Sequence, residues 1–265
     1  MLIGSNIHEQ FLTALSALSV INHQPVLRRL RELPPLMQSF LLQCGHHDDQ
    51  PATNAAIFWR SARMRKQPYG KWRSTSCKQF NRFDHPVRLA YLRQRLLGLF
   101  SLAAFDRYND GHGRMAIHLL NYIRLADFQG IELDRSGLVT FLSELIICPL
   151  AALCPAIQWQ EDGPLSVRAT ISDHGLSASG RFIFNAGQKI IRFESDDRYL
   201  SVGAGSYLSL PWIVDVGDYR PAGVHRLPVY LSASWVRNGK VQPYFQGDIG
   251  AIYYNRPELL IYHGW

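Results

Sequence analysis

Apolar positions recur at helical spacing near the start of the chain. Ile7, Phe11, Ala14, Leu15, Leu18 and Ile21 form one stripe, opposite His8, Glu9, Gln10, Thr13 and Ser16. The pattern predicts an amphipathic packing helix with Ser5 as its N-cap. Pro25 predicts a second, basic helix through Leu33, broken by Pro34-Pro35, and LMQSFLLQC predicts a third that ends at Gly45. From residue 52 the period changes to two. ATNAAIFWRSARMRK and KWRSTSCKQFNRF are β-branched, aromatic and alternating, joined by a QPYG turn. Strand-like runs follow at 86–95, 97–108, 114–127, 156–161, 165–173, 176–185, 188–198, 207–219, 225–237 and 241–254, separated by turn-forming EDGP, SDHG, NAGQ, RPAG and RNGK. Asn238-Gly239 is a strong hairpin signal, because both residues accept the positive φ of a type I′ turn. Successive hairpins without βαβ alternation predict a meandering antiparallel sheet and argue against Rossmann and TIM folds. One helix, 135–147, interrupts the strands with a Leu138, Phe141, Leu142, Leu145, Ile146 stripe. Asp134 or Ser136 is its expected cap and Pro149 its stop, and it is expected to lie across one face of the sheet.

The stretch DRYNDGHGRM sits between two strand-like runs. A phosphate loop would need a helix to follow it, and a calcium loop would need alternating acids and a later Glu. Neither is present, so it reads as a hairpin turn, with Gly111 and Gly113 supplying positive φ. HHDDQP at 46–51 reads as polar loop. His112, His118, His174 and His225 show no ligand spacing and read as turn or surface residues.

Hydrophobic content of 47% and charged content of 18% place the chain among globular proteins. Four cysteines without a metal-finger spacing read as buried thiols. No GxSxG, HExxH or Walker motif is found, and no cofactor or metal is expected. The first residues lack a basic n-region, and no stretch approaches the ~18 apolar residues of a membrane span. A cytoplasmic location is therefore expected, with peripheral membrane association as the alternative. The net charge of +7 is unevenly placed: residues 60–95 hold 11 Lys/Arg and one acid, Asp84. In simple alternation Ile57, Trp59, Ser61, Arg63 and Arg65 share one face of this segment, and Phe58, Arg60, Ala62, Met64 and Lys66 the other. Arg65, Lys66, Lys71 and Arg73 flank the QPYG turn and are the expected contacts to an anionic surface, with membrane headgroups ahead of nucleic acid.

ELPPLMQSFLLQ, KWRSTSCKQF, DRYNDGHGRM, GIELDRSGLVTFLSE, the Pro-Trp pair at 211–212, DYRPAGVHRLP and SASW occur in that order. Together they resemble an uncharacterised bacterial family, over about three-quarters of the chain. The chain departs from it at the front, where many members carry a membrane helix, and at Cys148-Pro149, where an aromatic-Pro pair is usual. The resemblance implies a fold similar to the bacterial lipoprotein carriers. The expected class is thus α+β: an antiparallel half-barrel of about ten or eleven strands, helices on its concave face, and N-terminal helices before it. The expected division is a helical segment, 1–51, packed on a half-barrel domain, 52–265.

Such a frame can enclose an apolar cavity. The leading expectation is a non-enzymatic binding protein for an apolar or amphipathic, lipid-like ligand, with Trp59, Phe141, Glu144, Leu145, Trp212 and Trp235 as candidate ligand contacts. A sandwiched Glu144 would need a basic partner such as Arg107 or Arg124, because a lone buried carboxylate is costly. The alternatives are an enzyme using Glu144 and Asp106, and an adaptor that binds anionic surfaces through 60–95. The oligomeric state is left open.

Overall fold

The computed structural model describes residues 6–20, 27–47, 52–66, 70–96, 100–203, 205–222 and 225–262. Helix α1 (Ile7–Ser19) is capped by Asn6, whose side chain accepts the His8 N–H at 2.9 Å. The expected cap, Ser5, lies outside the described residues. Of the basic helix expected from Pro25 through Leu33, residues 25 and 26 lie outside the described residues, and 27–33 hold a 3-10 turn at Leu30–Glu32 in place of an α-helix. Leu33 precedes a proline and is extended, as that position prefers. Helix α2 (Pro35–Gln43) opens on proline and is closed by Gly45 at φ +84°.

Strands β1 (Asn54–Met64), β2 (Arg73–Arg82), β3 (Val87–Arg95), β4 (Ser101–Asn109), β5 (His112–Leu119) and β6 (Ile123–Gln129) run as successive hairpins. Helix α3 (Ile131–Ser143) follows, continued by 3-10 turns at Glu144–Ile146 and Pro149–Leu153. It begins at Ile131, four residues before the expected start, with Gly130 at φ +123° as its N-cap. Asp134 and Ser136 do not cap it; they accept the backbone N–H groups of Gly113 and Tyr199. The chain then forms β7 (Ile157–Glu161), β8 (Ser166–Asp173), β9 (Leu176–Phe184), β10 (Ile190–Ser195), β11 (Tyr199–Gly203) and β12 (Ser206–Ser209). It ends with β13 (Trp212–Val216), β14 (Tyr219–Ala222), β15 (His225–Pro228), β16 (Tyr230–Arg237), β17 (Lys240–Tyr254) and α4 (Leu259–Tyr262).

The class is α+β. Thirteen strands form one antiparallel sheet in the order β6-β5-β4-β3-β2-β1-β17-β16-β13-β10-β9-β8-β7, beside the two-stranded ribbons β11–β12 and β14–β15. The number exceeds the ten or eleven expected. One reason is that 114–127 is two strands, divided at Leu120 and Asn121 with φ +54° and +68°. Neither Gly nor Pro marks that turn, so a sequence pattern misses it.

The sheet is curled, and α3 lies inside the curl. Helix α3 contacts β5 and β9, which stand nine places apart in the strand order. At ~4.8 Å per strand, nine places span about 43 Å when flat, far more than the ~10–12 Å width of one helix. Only a helix on the concave side can reach both. The inner face holds the larger core, in which Met37, Phe40 and Leu41 of α2 join Leu138, Phe141 and Leu142 of α3, Phe182, Phe193, Trp212 and Val214. The outer face carries a second core. There Ile7, Phe11 and Leu15 of α1 cover Val87, Leu89 and Tyr91 of β3 and Phe105 of β4. Among the described residues no helix is long and apolar enough to cross a membrane.

Candidate functional site

Strand β3 contributes the centre of the site. Its odd residues face α1, while Arg88 and Leu92 face inward. Arg88 is 8% exposed, and an unpaired charge so placed would be costly. It donates Nε–H to Glu144 Oε1 and an Nη1–H to Asp106 Oδ2, each at 2.7 Å. Burial disfavours its charge, but Glu144 and Asp106 outweigh that and raise its pKa. Glu144 takes a further bond from Asn81 Nδ2 at 2.8 Å. Gln79 bonds Asn81 and in turn accepts from the Trp59 indole N–H. A polar chain thus runs from Trp59 through Gln79, Asn81, Glu144 and Arg88 to Asp106. The expected buried ion pair of Glu144 exists, but its partner is Arg88 rather than Arg107 or Arg124.

Above this chain lies a half-enclosed cavity of about 130 Å³. Trp59 and Met64 of β1, Leu92, Met115 of β5, Trp212 of β13, Leu231 and Ala233 of β16, and Phe245 of β17 supply a mostly apolar lining. Thr140, Ser143, Glu144 and Ile147 close it from the side of α3. Arg198 lies at its wall, with its guanidinium 4.3 Å from the Trp212 ring centroid and bonded to Thr140 Oγ1. Cys77 also lines the cavity, and burial pushes its thiol up to about 12. It is therefore no ready thiolate nucleophile.

Two features of the chain admit Trp59. The register of β1 against β17 shifts between Phe58 and Ser61, and Gly247 across the junction leaves room where a β-carbon would come within 2.6 Å of the indole. The bulge also reverses the alternation expected for 57–66. Ile57 and Trp59 point inward before it and Met64 after it, whereas Arg63 and Arg65 point outward to stack on Trp72 at 5.2 and 4.6 Å.

Of the residues expected at the site, Trp59, Glu144 and Trp212 line the cavity. Phe141 and Leu145 do not; both are fully buried in the inner core. Trp235 stacks on Tyr244 just outside the lining. Asp106, the second candidate carboxylate, is present. Arg88 was missed because it sits among the basic residues of 60–95. The available signal was the apolar company on both sides of VRLAYL, where a lone Arg calls for a buried acid. The basic segment divides accordingly. Lys78 Nζ bonds the Leu260 carbonyl and Arg82 pairs with Asp84, while Arg65, Lys66, Lys71 and Arg73 flank the connection at the turn end of the β1–β2 hairpin.

The 110–113 turn adds a larger polar depression of about 470 Å³. Some of its polar groups are already engaged: Asp134 accepts from Gly113 N, and Arg114 pairs with Asp127 outside the depression. Asp110 and Gly111 form the turn, with φ +50° and +78°, as expected for Gly111. Gly113 differs from expectation. It is not left-handed; a β-carbon there would meet the Leu133 carbonyl oxygen at 2.2 Å, so glycine lets α3 approach. His46 and His225 also depart from the surface reading. They stack at 4.4 Å between ring centroids beside Tyr254, with His46 fully buried. His118 is buried too, at 3% exposure.

Fold and site together define an α+β protein in which a curled antiparallel sheet wraps a helix and encloses a small, mostly apolar cavity with an ion-paired floor. Residues 24–247 match the family described as "Family of unknown function (DUF6544)", and the chain belongs to that family. No curated protein and no solved structure matches it.

Proposed function

We propose that this chain is a non-catalytic binding protein that holds the apolar end of an amphipathic small molecule in the concave cavity. The cavity itself carries this reading: aromatic and aliphatic walls, with a few convergent polar groups, are what small-molecule sites use. Its size narrows the ligand. About 130 Å³ is close to an engineered cavity that takes benzene and well below the ~300–1,000 Å³ of drug-sized sites. A short apolar segment enters and the rest of the molecule stays outside. The likeness to the lipoprotein carriers that the sequence resemblance implies would suit such a cargo. The alternative of carboxylate catalysis draws on the convergence of Glu144 and Asp106. That convergence is on one guanidinium: Arg88 takes one oxygen of each carboxylate and Asn81 the other oxygen of Glu144, which favours a structural ion pair over an acid–base pair.

Native mass spectrometry of freshly purified protein tests the proposal. An amphipathic adduct is expected on the wild type and absent from Ala233→Phe, which fills the cavity. Failure of the wild type to retain an adduct or take up added dodecanoate, or retention by the filled variant, would overturn it.

A further inference from the structure

The strand ends that lead into four hairpin connections lie side by side along one margin of the sheet. The strand order β6-β5-β4-β3-β2-β1-β17-β16 places the β5–β6, β3–β4, β1–β2 and β16–β17 connections next to one another. Eight strands at ~4.8 Å spacing make this margin about 34 Å long. The described residues that form it, 62–66, 70–77, 91–96, 100–105, 117–125 and 233–247, contain ten Lys/Arg and no Asp or Glu. Three tips pair cations with an apolar group. Trp72 lies under Arg63 and Arg65, Phe100 follows Arg95, and Val241 follows Lys240. The β5–β6 tip adds Leu120 and Tyr122, while its Arg124 is already paired with Asp127 at 3.3 Å, so the attraction rests on the other three tips. Phe100, Leu120, Tyr122 and Val241 are 54%, 39%, 47% and 53% exposed. Leu120 holds a left-handed φ of +54° where Gly or Asn fits more easily, so an exposed leucine there is doubly unfavourable for the isolated protein.

We infer that this margin docks on an anionic lipid surface. Cations without acids attract the headgroups, and short apolar tips beside them enter the interface, as on other peripheral membrane binders. A protein partner would not need a row of like charge free of acids. Single-stranded nucleic acid would need aromatic faces open to stacking, and Trp72 already has guanidinium groups on it. The inference is independent of the cavity ligand, since Arg63, Arg65 and Trp72 stand on the outer side of the sheet.

Sedimentation with phosphatidylcholine vesicles, with and without phosphatidylglycerol, tests it at low and high salt. Lys66, Lys71 and Lys240 make no side-chain bond or ion pair among the described residues, so Lys66→Gln/Lys71→Gln/Lys240→Gln leaves the fold intact. The wild type should bind only the acidic vesicles, less at high salt as the Debye length shortens. Each cation is worth on the order of fivefold in binding, so the triple variant should bind about a hundredfold more weakly. Phe100→Ser/Val241→Ser should also weaken binding but keep its salt dependence. Absence of binding to acidic vesicles, equal binding to neutral ones, an unaffected triple variant, or retention of an oligothymidine instead of vesicles would each overturn the inference.

Discussion

Arg88 shows how much one side chain carries. It holds two carboxylates, Asp106 of β4 and Glu144 at the end of α3, on a single guanidinium. Arg88→Met leaves those acids without their cation and should cost about 3–5 kcal/mol, read from denaturant midpoints. Arg88→Met/Glu144→Met should be less destabilised than the single change, because the stranded charge is gone; simple additivity would contradict this account. His46 gives a pH test. Burial, then His225 and His47, lower its pKa to about 3, below the ~6.5 of an unfolded histidine. The unfolded chain therefore takes the proton first, and stability falls as pH drops below about 6.5, by up to ~1.4 kcal/mol per unit. His46→Phe should remove up to about 2 kcal/mol of the loss between pH 6.5 and 5. Burial also lowers the pKa values of His8 and His118, so a residual slope remains. Neither Arg88 nor His46 was legible as a buried group, since a strand of mixed polarity and a His-His-Asp-Asp run both read as surface.

Elements were more legible where turn chemistry is explicit. Asp110-Gly111, His174-Gly175 and Asn238-Gly239 all hold the positive φ that their residues suggest. The bulge between Phe58 and Ser61 has no such marker. Gly247, on a strand distant in sequence, makes room for it, and so both faces of β1 were misassigned beyond Trp59. The Leu120-Asn121 turn was hidden for the opposite reason, because a leucine stands where a glycine was to be looked for. Relief of its left-handed strain should make Leu120→Asn more stable by up to about 1 kcal/mol in thermal unfolding, with weaker binding to acidic vesicles.

The whole molecule depends on one long-range seam. The meander, the class and the helix between two runs of strands follow from period and punctuation. The closure does not: β1 pairs with β17 from Ala55↔Tyr254 to Met64↔Phe245, at the middle of the sheet rather than at an edge. Local pattern carries no information about pairing across such a separation, and contacts of this kind form late and slowly. The seam also sets how the protein responds to tension. Asn54 and Asn255 enter and leave it at the same end, where the Asn255 N–H bonds the Asn54 carbonyl at 3.0 Å. A pull on these two points loads the antiparallel ladder one rung at a time, as a zipper opens, instead of shearing every rung together. In optical-tweezers traces the sheet should part along its midline at low force. A second event should follow as α3, which touches both halves, is torn from one of them.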